Sequence, residues 1–299
     1  MSWSFSQHNV FRSCQRQWFF KNKYANTNSK DPIRNEARRL ARLVNLKAWR
    51  GKIVDYIISD YVIPSIGQGK PADLESSLQK AGSVYQRQQL LGLQKIENDD
   101  TKFYGFLEVE YGEIPQTEAF DEAWEDIKSA LNTFFSNSFI LEALNNAIIL
   151  KAQKTLSFKS FGVSVSAIPD VICFYQNKAP LIIDWKVHSN PIGNYWKQLG
   201  LYSLALTSCN PHRDWPPLPD GLTPSDISLV EMQLLTNTVR LHAVTMDEIE
   251  DLEEMIAISS NEMSLATGEK ATKQLLPVDF PSTDYSEVCE FCPFKKLCW

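Results

Sequence analysis

No apolar run in this chain approaches the ~18 residues a helix needs to cross a bilayer, so the sequence offers no membrane-spanning helix. The opening Met1-Ser-Trp-Ser-Phe-Ser-Gln-His8 lacks the basic and apolar regions of a signal peptide. The expectation is therefore a soluble, cytoplasmic protein with no membrane partner. Repeats and low-complexity tracts are missing too. Gly67-Gln-Gly-Lys70-Pro is not a nucleotide-binding P-loop, because the G-x-x-x-x-G-K-[ST] spacing is absent. Any motor activity must then come from a separate chain. An overall basic charge is also lacking: the formal net charge is −6, which argues against indiscriminate polyanion binding but not against a local nucleic-acid surface.

What is present is an ordinary globular balance, with 299 residues of which 43% are hydrophobic and 22% charged. Such a chain can bury a sizeable core without covalent staples. Its charge is uneven. Arg34, Arg38, Arg39, Arg42, Lys47, Arg50 and Lys52 face only Glu36 as an acid in that stretch, whereas 97–126 is acidic. A basic run of this kind reads either as a solvated helix face or as a phosphate-tracking surface.

Apolar periodicity predicts helices over 4–24, 35–62, 72–97 and 117–147, with Pro64 and Gly67 breaking the second. The texture then changes. Segments 148–160, 163–175 and 181–187 are rich in β-branched and aromatic residues and read as consecutive strands. A helix over 193–207, a Pro-rich loop over 211–224, strands over 226–235 and 238–245 and a helix over 246–266 follow. Helices first, then a small sheet interrupted by one helix, make the fold α+β.

The most informative stretch is Pro169-Asp170 followed by Asp184-Trp185-Lys186. On a strand, residues two apart share a face, so Asp184 and Lys186 project together from an apolar segment. Charges there must be paired, hydrogen-bonded or metal-bound. Taken alone, D-x-K also reads as a strand-end ion pair. Two carboxylates with a lysine equally suit phosphodiester hydrolysis, in which hard Mg²⁺ or Mn²⁺ takes oxygen ligands. Asp170, Asp184 and the Trp185 carbonyl would supply oxygens, and Lys186 would orient the attacking water and stabilise developing charge. Gln198 and Tyr202 lie four residues apart on one helical face, where they would contact a phosphate or buttress the lysine.

These residues resemble motifs II, III and QxxxY of the RecB-like PD-(D/E)XK nucleases. The resemblance implies a restriction-endonuclease-like core: a helix, three antiparallel strands, a helix and a further strand in a small mixed sheet flanked by helices. It implies one nuclease domain over 1–299, with a helical insertion at about 64–147. In this family the early core helix often carries a metal-binding His in a Gly-x-x-x-His pattern. The matching place here is Gly51-Lys-Ile-Val-Asp55, so Asp55 stands where the family has His and is taken as a further metal ligand. Glu36 is a weaker substitute and reads rather as a surface acid pairing with Arg38 to Arg42. DNA is the implied substrate, single-stranded or at an end, with Gln198 and Tyr202 positioning it. Basic residues of 34–52 with Arg12, Arg16, Lys21 and Lys23 would track its backbone. The alternative is a catalytically weakened DNA-binding subunit of a larger repair, CRISPR or defence complex, with Asp55 marking the loss. A helicase or a CRISPR or defence component would be a protein partner.

There are six cysteines. Cys289, Cys292 and Cys298 form a C-x₂-C-x₅-C arrangement that leaves one position open on a cubane cluster or a tetrahedral zinc. Cys14 is the natural fourth ligand. Its surroundings resemble the N-terminal segment of the iron–sulfur RecB-like nucleases, which include the AddB nuclease domain and CRISPR-associated exonucleases. That likeness implies a structural [4Fe–4S] cluster joining the chain ends, about 1–30 and 283–299. The spacing by itself does not separate iron from zinc, and disulfides are disfavoured in a cytosolic setting. Cys173 and Cys209 read as core thiols. His188 reads as a solvated loop residue and His8 as a capping or surface one. Trp3, Trp18, Phe19 and Phe20 are set either to stack on unpaired bases or to pack around the cluster.

Overall fold

The structure is a computed structural model that describes residues 2–25, 30–94, 103, 105–188 and 195–298. The chain opens with a short strand β1 (Ser2–Trp3) and helices α1 (Phe5–Ser13) and α2 (Gln15–Phe19). The expected single helix over 4–24 is broken at Cys14, whose extended backbone (φ −161°) ends one helix and caps the next. A π-helical turn, Phe20–Tyr24, follows.

The helix expected over 35–62 is also two. Helix α3 (Pro32–Leu40) stops before a short strand β2 (Leu43–Val44), and α4 (Leu46–Ile57) restarts behind it. Asn45 explains the restart, because its side chain accepts the Ala48 N–H at 2.7 Å and satisfies an orphan donor of the new helix. The intervening backbone pairs instead with β3 (Gly105–Phe106), in parallel. Between these strands lie α5 (Ile63–Gly67) and α6 (Leu74–Leu93), and after β3 come α7 (Leu107–Glu110), α8 (Thr117–Ser136) and α9 (Ser138–Asn145). Helix 117–147 was expected whole; Asn137 splits it by capping Ile140 N at 3.0 Å. The expected ends at 95–97 and 193–194 lie outside the described residues.

The strands depart most from expectation. Segment 148–160 becomes β4 (Ile149–Ala152) and β5 (Leu156–Ser160), and 163–175 becomes β6 (Val163–Ala167) and β7 (Val171–Phe174). The break after β4 falls at Gln153, a non-glycine residue at φ +48°. Beyond it the chain leaves the main sheet as a β5–β6 hairpin, whose turn residues Phe161 and Gly162 both have positive φ. That hairpin accepts β1 as a parallel neighbour, forming a three-stranded side sheet.

The main sheet adds β8 (Leu181–Lys186), β9 (Ser228–Gln233) and β10 (Thr238–His242) in the order β10-β9-β8-β7-β4. Strand β7 runs antiparallel to both β4 and β8, while β9 lies parallel to β8. The crossover between β8 and β9 contains α10 (Trp196–Ser208). Helix α11 (Met246–Thr267) and short helices α12 (Ser286–Glu290) and α13 (Lys295–Cys298) close the chain.

Alternation along β8 divides the core. Ile182 joins one apolar cluster with α10, α11 and the N-terminal aromatics, whereas Leu181, Ile183 and Trp185 join another with α4, α6 and α8. Among the described residues, no helix is long and apolar enough to cross a membrane.

Candidate active site and cysteine pocket

Antiparallel pairing of Val171 with Ile183 sets Asp170, just before β7, across from Asp184 on β8. Asp170 is fixed at both oxygens: Oδ2 accepts the Trp185 N–H at 2.9 Å and Oδ1 accepts Gln153 Nε2 at 3.0 Å. The same Gln153 amide donates to Asp55 Oδ1 at 2.9 Å, which also accepts Trp185 Nε1 and Ser59 Oγ, each at 3.1 Å. Asp55 on α4 therefore meets Asp170 through Gln153, and Trp185 bonds to both acids from β8.

Asp184 is held from the other side. Its Oδ1 accepts Tyr202 Oη at 3.4 Å and Gln198 Nε2 at 3.5 Å, and Lys186 Nζ donates to Gln198 Oε1 at 3.4 Å. Tyr202 is only 5% exposed. The pair on α10 thus bears on Asp184 and Lys186 from within the protein. Asp184 Oδ2 lies 2.5 Å from Lys186 Nζ as an ion pair, yet it is buried without a hydrogen bond of good geometry.

Electrostatics follow from this crowding. Burial raises the Asp170 carboxyl well above its usual range, and Asp184 and Asp55 push it further. Burial likewise raises Asp184 and Asp55, against the pull of Lys186 on the first and of Trp185 on the second. For Lys186, burial works against the charge, but Asp184 and Asp170 prevail and its pKa is raised. The Tyr202 phenol is pushed up by burial and by both acids.

Three acids close to one lysine form a donor set that suits a divalent cation, with Asp184 Oδ2 engaged among the described residues by the Lys186 ion pair alone. Among the described residues, no group of three or more His, Cys, Asp or Glu is drawn up to hold a metal ion as it stands. Gln153 and Lys186 occupy the carboxylate oxygens instead.

Several neighbours were missed in the sequence. Gln153 carries no motif, and its left-handed backbone is visible only in three dimensions. Tyr195 bonds His188 Nε2 at 2.7 Å and lies 4.8 Å below Lys186 Nζ, so His188 is a packed residue rather than a solvated one. Glu231, fully buried on β9, is in register with Asp184; it ion-pairs with Arg240 at 3.3 Å and hydrogen-bonds His242 Nε2 at 3.2 Å.

The cysteines from opposite chain ends meet. Cys14, Cys289, Cys292 and Cys298 line one small pocket, with Phe20, Phe294 and Val288 among its walls. The break at Cys14 lets its Sγ accept the Gln17 N–H at 3.4 Å, and Arg16 reaches Cys298 Sγ at 3.8 Å. Burial pushes the Cys292 thiol up to about 11, with the other three thiols adding to the effect. Phe19 stacks on Phe280 at 4.4 Å and Phe20 on Phe294 at 5.4 Å, so these aromatics tie the two ends together. Trp3, Trp18, Phe19 and Phe20 are buried, which leaves none of them to stack on a base. His8 is held by Ser259 Oγ at 2.8 Å.

A model of the PD-(D/E)XK nuclease superfamily matches residues 2–299. The chain belongs to that superfamily. Its arrangement of helices and mixed sheet fits the nuclease fold. Among solved structures, a protein assigned as an exonuclease from Eubacterium rectale aligns at 13% identity and a TM-score of 0.40, covering 89% of this chain and 86% of that one. The protein SSO0001 aligns at 11% identity and a TM-score of 0.32, covering 74% of this chain and 96% of that one. No curated protein matches the chain significantly.

The basic run over 34–52 is not a free stripe in this nuclease-family fold. Arg34 packs 4.1 Å over Tyr24, Arg38 donates to Ala25 O at 3.3 Å, Arg39 is bound by Glu36 and Glu110, and Arg50 is paired with Asp126. Glu36 is thereby a partner of Arg39, as expected of a surface acid. Arg12 is paired with Glu262 and Arg16 donates to Phe280 O.

Proposed function

We propose that the protein is a divalent-metal-dependent deoxyribonuclease, acting on single-stranded DNA or DNA ends, built as one domain with a helical insertion at about 64–147. The convergence of Asp170, Asp184 and Lys186, with Asp55 brought in by Gln153, carries this reading. Asp55, Asp170, Asp184 and the Trp185 carbonyl would hold Mg²⁺ or Mn²⁺. When bound, such an ion supplies polarisation of the phosphoryl oxygen and a more acidic water. Lys186 keeps its proton beside two acids and so offers a fixed cation to the attacking water and to charge developing on the phosphate. Gln198 and Tyr202 position Asp184 and Lys186 by hydrogen bonds.

The four clustered cysteines support a structural [4Fe–4S] cluster at the junction of the chain ends. It would serve as a staple, and no redox step is needed. A helicase, or a repair, CRISPR or defence component, fits as a protein partner because the chain has no P-loop of its own.

The test is cleavage of end-labelled single-stranded and duplex DNA with Mn²⁺, Mg²⁺ or EDTA. Lys186→Ala is expected to lower the rate about 10²–10³-fold, the scale of losing one electrostatic stabiliser. Unchanged cleavage in that variant would refute the mechanism. The absence of wild-type cleavage with every divalent metal would favour a DNA-binding subunit instead, the reading that Asp55 in place of His raises.

A further inference from the structure

A groove of about 1050 Å³ opens beside Asp55 and Gln153, walled by α4 on one side and α6 on the other. Its volume slightly exceeds the ~300–1,000 Å³ typical of small-molecule sites, which suits a ligand longer than one nucleotide. Helical spacing explains how each wall is made. Lys52, Asp55 and Tyr56 lie at i, i+3 and i+4 on α4 and share a face, while Arg87 and Gln88 come from α6. Gln88 accepts the Trp49 indole N–H at 2.7 Å and pins the two helices together at that end.

Charge is ordered along the groove. Asp55 and Asp60 stand at the catalytic end, and Lys52 precedes Asp55 by about one helical turn (~5 Å along the axis). Arg87 adjoins the Gln88–Trp49 hydrogen bond and so lies toward the Lys52 end. Lys52 and Arg87 are exposed and have no ion-pair partner among the described residues, unlike the arginines of the preceding run. Tyr56 and the 44% exposed Ile168 add apolar surface.

We infer that this groove receives the free end of a single-stranded polynucleotide, with Lys52 and Arg87 holding phosphates next to the one presented to Asp55 and with Tyr56 against a base. The inference rests on the nuclease reading for its direction, but binding tests it separately. Cations on two facing helices suit a flexible backbone threaded between them, and a ring on the wall suits an unstacked base.

The experiment measures fluorescence anisotropy of a labelled oligodeoxythymidine and of a blunt duplex in EDTA, over a salt series, alongside cleavage. The Lys52→Ala/Arg87→Ala double variant is expected to bind the single strand at least tenfold more weakly. Its log–log salt slope should fall by about 1.4, because each single-strand phosphate that is no longer neutralised removes ~0.7. Lys52→Arg/Arg87→Lys should restore binding, and Lys178→Glu, far from this groove, should leave it unchanged. Equal single-strand affinity and slope in the double variant would overturn the inference, as would equal weakening on duplex and single strand. Binding that depends on Lys52 and Arg87 without any cleavage would sink the nuclease reading and leave the groove standing; cleavage indifferent to Lys52 and Arg87 would do the reverse.

Discussion

Gln153 Nε2 lies 2.9 Å from Asp55 Oδ1, and the same amide reaches Asp170, so a residue outside every motif holds two acids of the candidate metal site in place. Its backbone is left-handed, at φ +48°. Such a conformation costs a non-glycine residue of order 1 kcal/mol and persists where the surroundings enforce it. Gln153→Ala removes the amide bridge while leaving the ligand oxygens themselves intact. Partners of metal ligands typically contribute 10–100-fold to metal affinity. The expected outcome is a 10–100-fold rise in the Mn²⁺ concentration for half-maximal cleavage, with maximal rate less affected. Equal Mn²⁺ dependence in wild type and variant would show that the bridge is incidental.

The cysteines divide into two classes. Cys14, Cys289, Cys292 and Cys298 share a pocket, whereas burial pushes the Cys173 thiol up to about 12 and leaves it an inert core group. After anaerobic purification, Cys14→Ser and Cys292→Ser should lose bound iron and melt at lower temperature. Cys173→Ser and Cys209→Ser should keep the iron. A zinc-loaded, colourless wild type would replace the cluster with a Cys₄ zinc site.

Helix α6 is seated by a close approach at Gly92. A Cβ there would come within 2.5 Å of the Phe106 ring and 3.0 Å of Phe103. Both rings are buried, so swinging aside would disturb their packing. Gly92→Ala should cost ~1–3 kcal/mol in overpacking, offset by ~1 kcal/mol of helix propensity. The net expectation is a destabilisation of up to about 2 kcal/mol, read as a lower urea midpoint. An increase in stability would show that α6 shifts freely over the rings.

Glu110 joins three parts of the chain, pairing with Arg39 of α3 at 2.6 Å and with Lys296 of α13. The Arg39 hydrogen bond, aided by Lys296 and opposed by burial, holds its carboxyl down at about 2. A depressed folded pKa contributes stability that is full above the unfolded carboxyl value and lost as pH falls through the folded one. Glu110→Gln should therefore be less stable than wild type at pH 7. The difference should shrink between about pH 4.5 and 2. A difference independent of pH would assign the loss to packing alone.

Local chemistry accounts for what was legible before any coordinates. Asp184 and Lys186 share a strand face by the two-residue period, and Gln198 and Tyr202 share a helix face by the four-residue one, so spacing alone predicts each pair. The cysteine spacing and the α+β order are equally local. Apolar periodicity predicts helices and strands that are too continuous, because it does not register a cap or a turn. Asn45, Asn137 and Cys14 each redirect the chain with one side chain.

The sequence by itself determined the superfamily, the pairs on β8 and α10, and the spacing of Cys289, Cys292 and Cys298. Tertiary structure decided the rest, since it turns on groups far apart in the chain. It brought Asp55 to Asp170 through Gln153, buried Tyr202 against Asp184, and carried Cys14 to the far end of the chain. It also committed Arg34, Arg38, Arg39 and Arg50 to internal partners, leaving Lys52 with Arg87 in the groove. A charge run shows how many cations there are, but only packing shows which of them already have a partner.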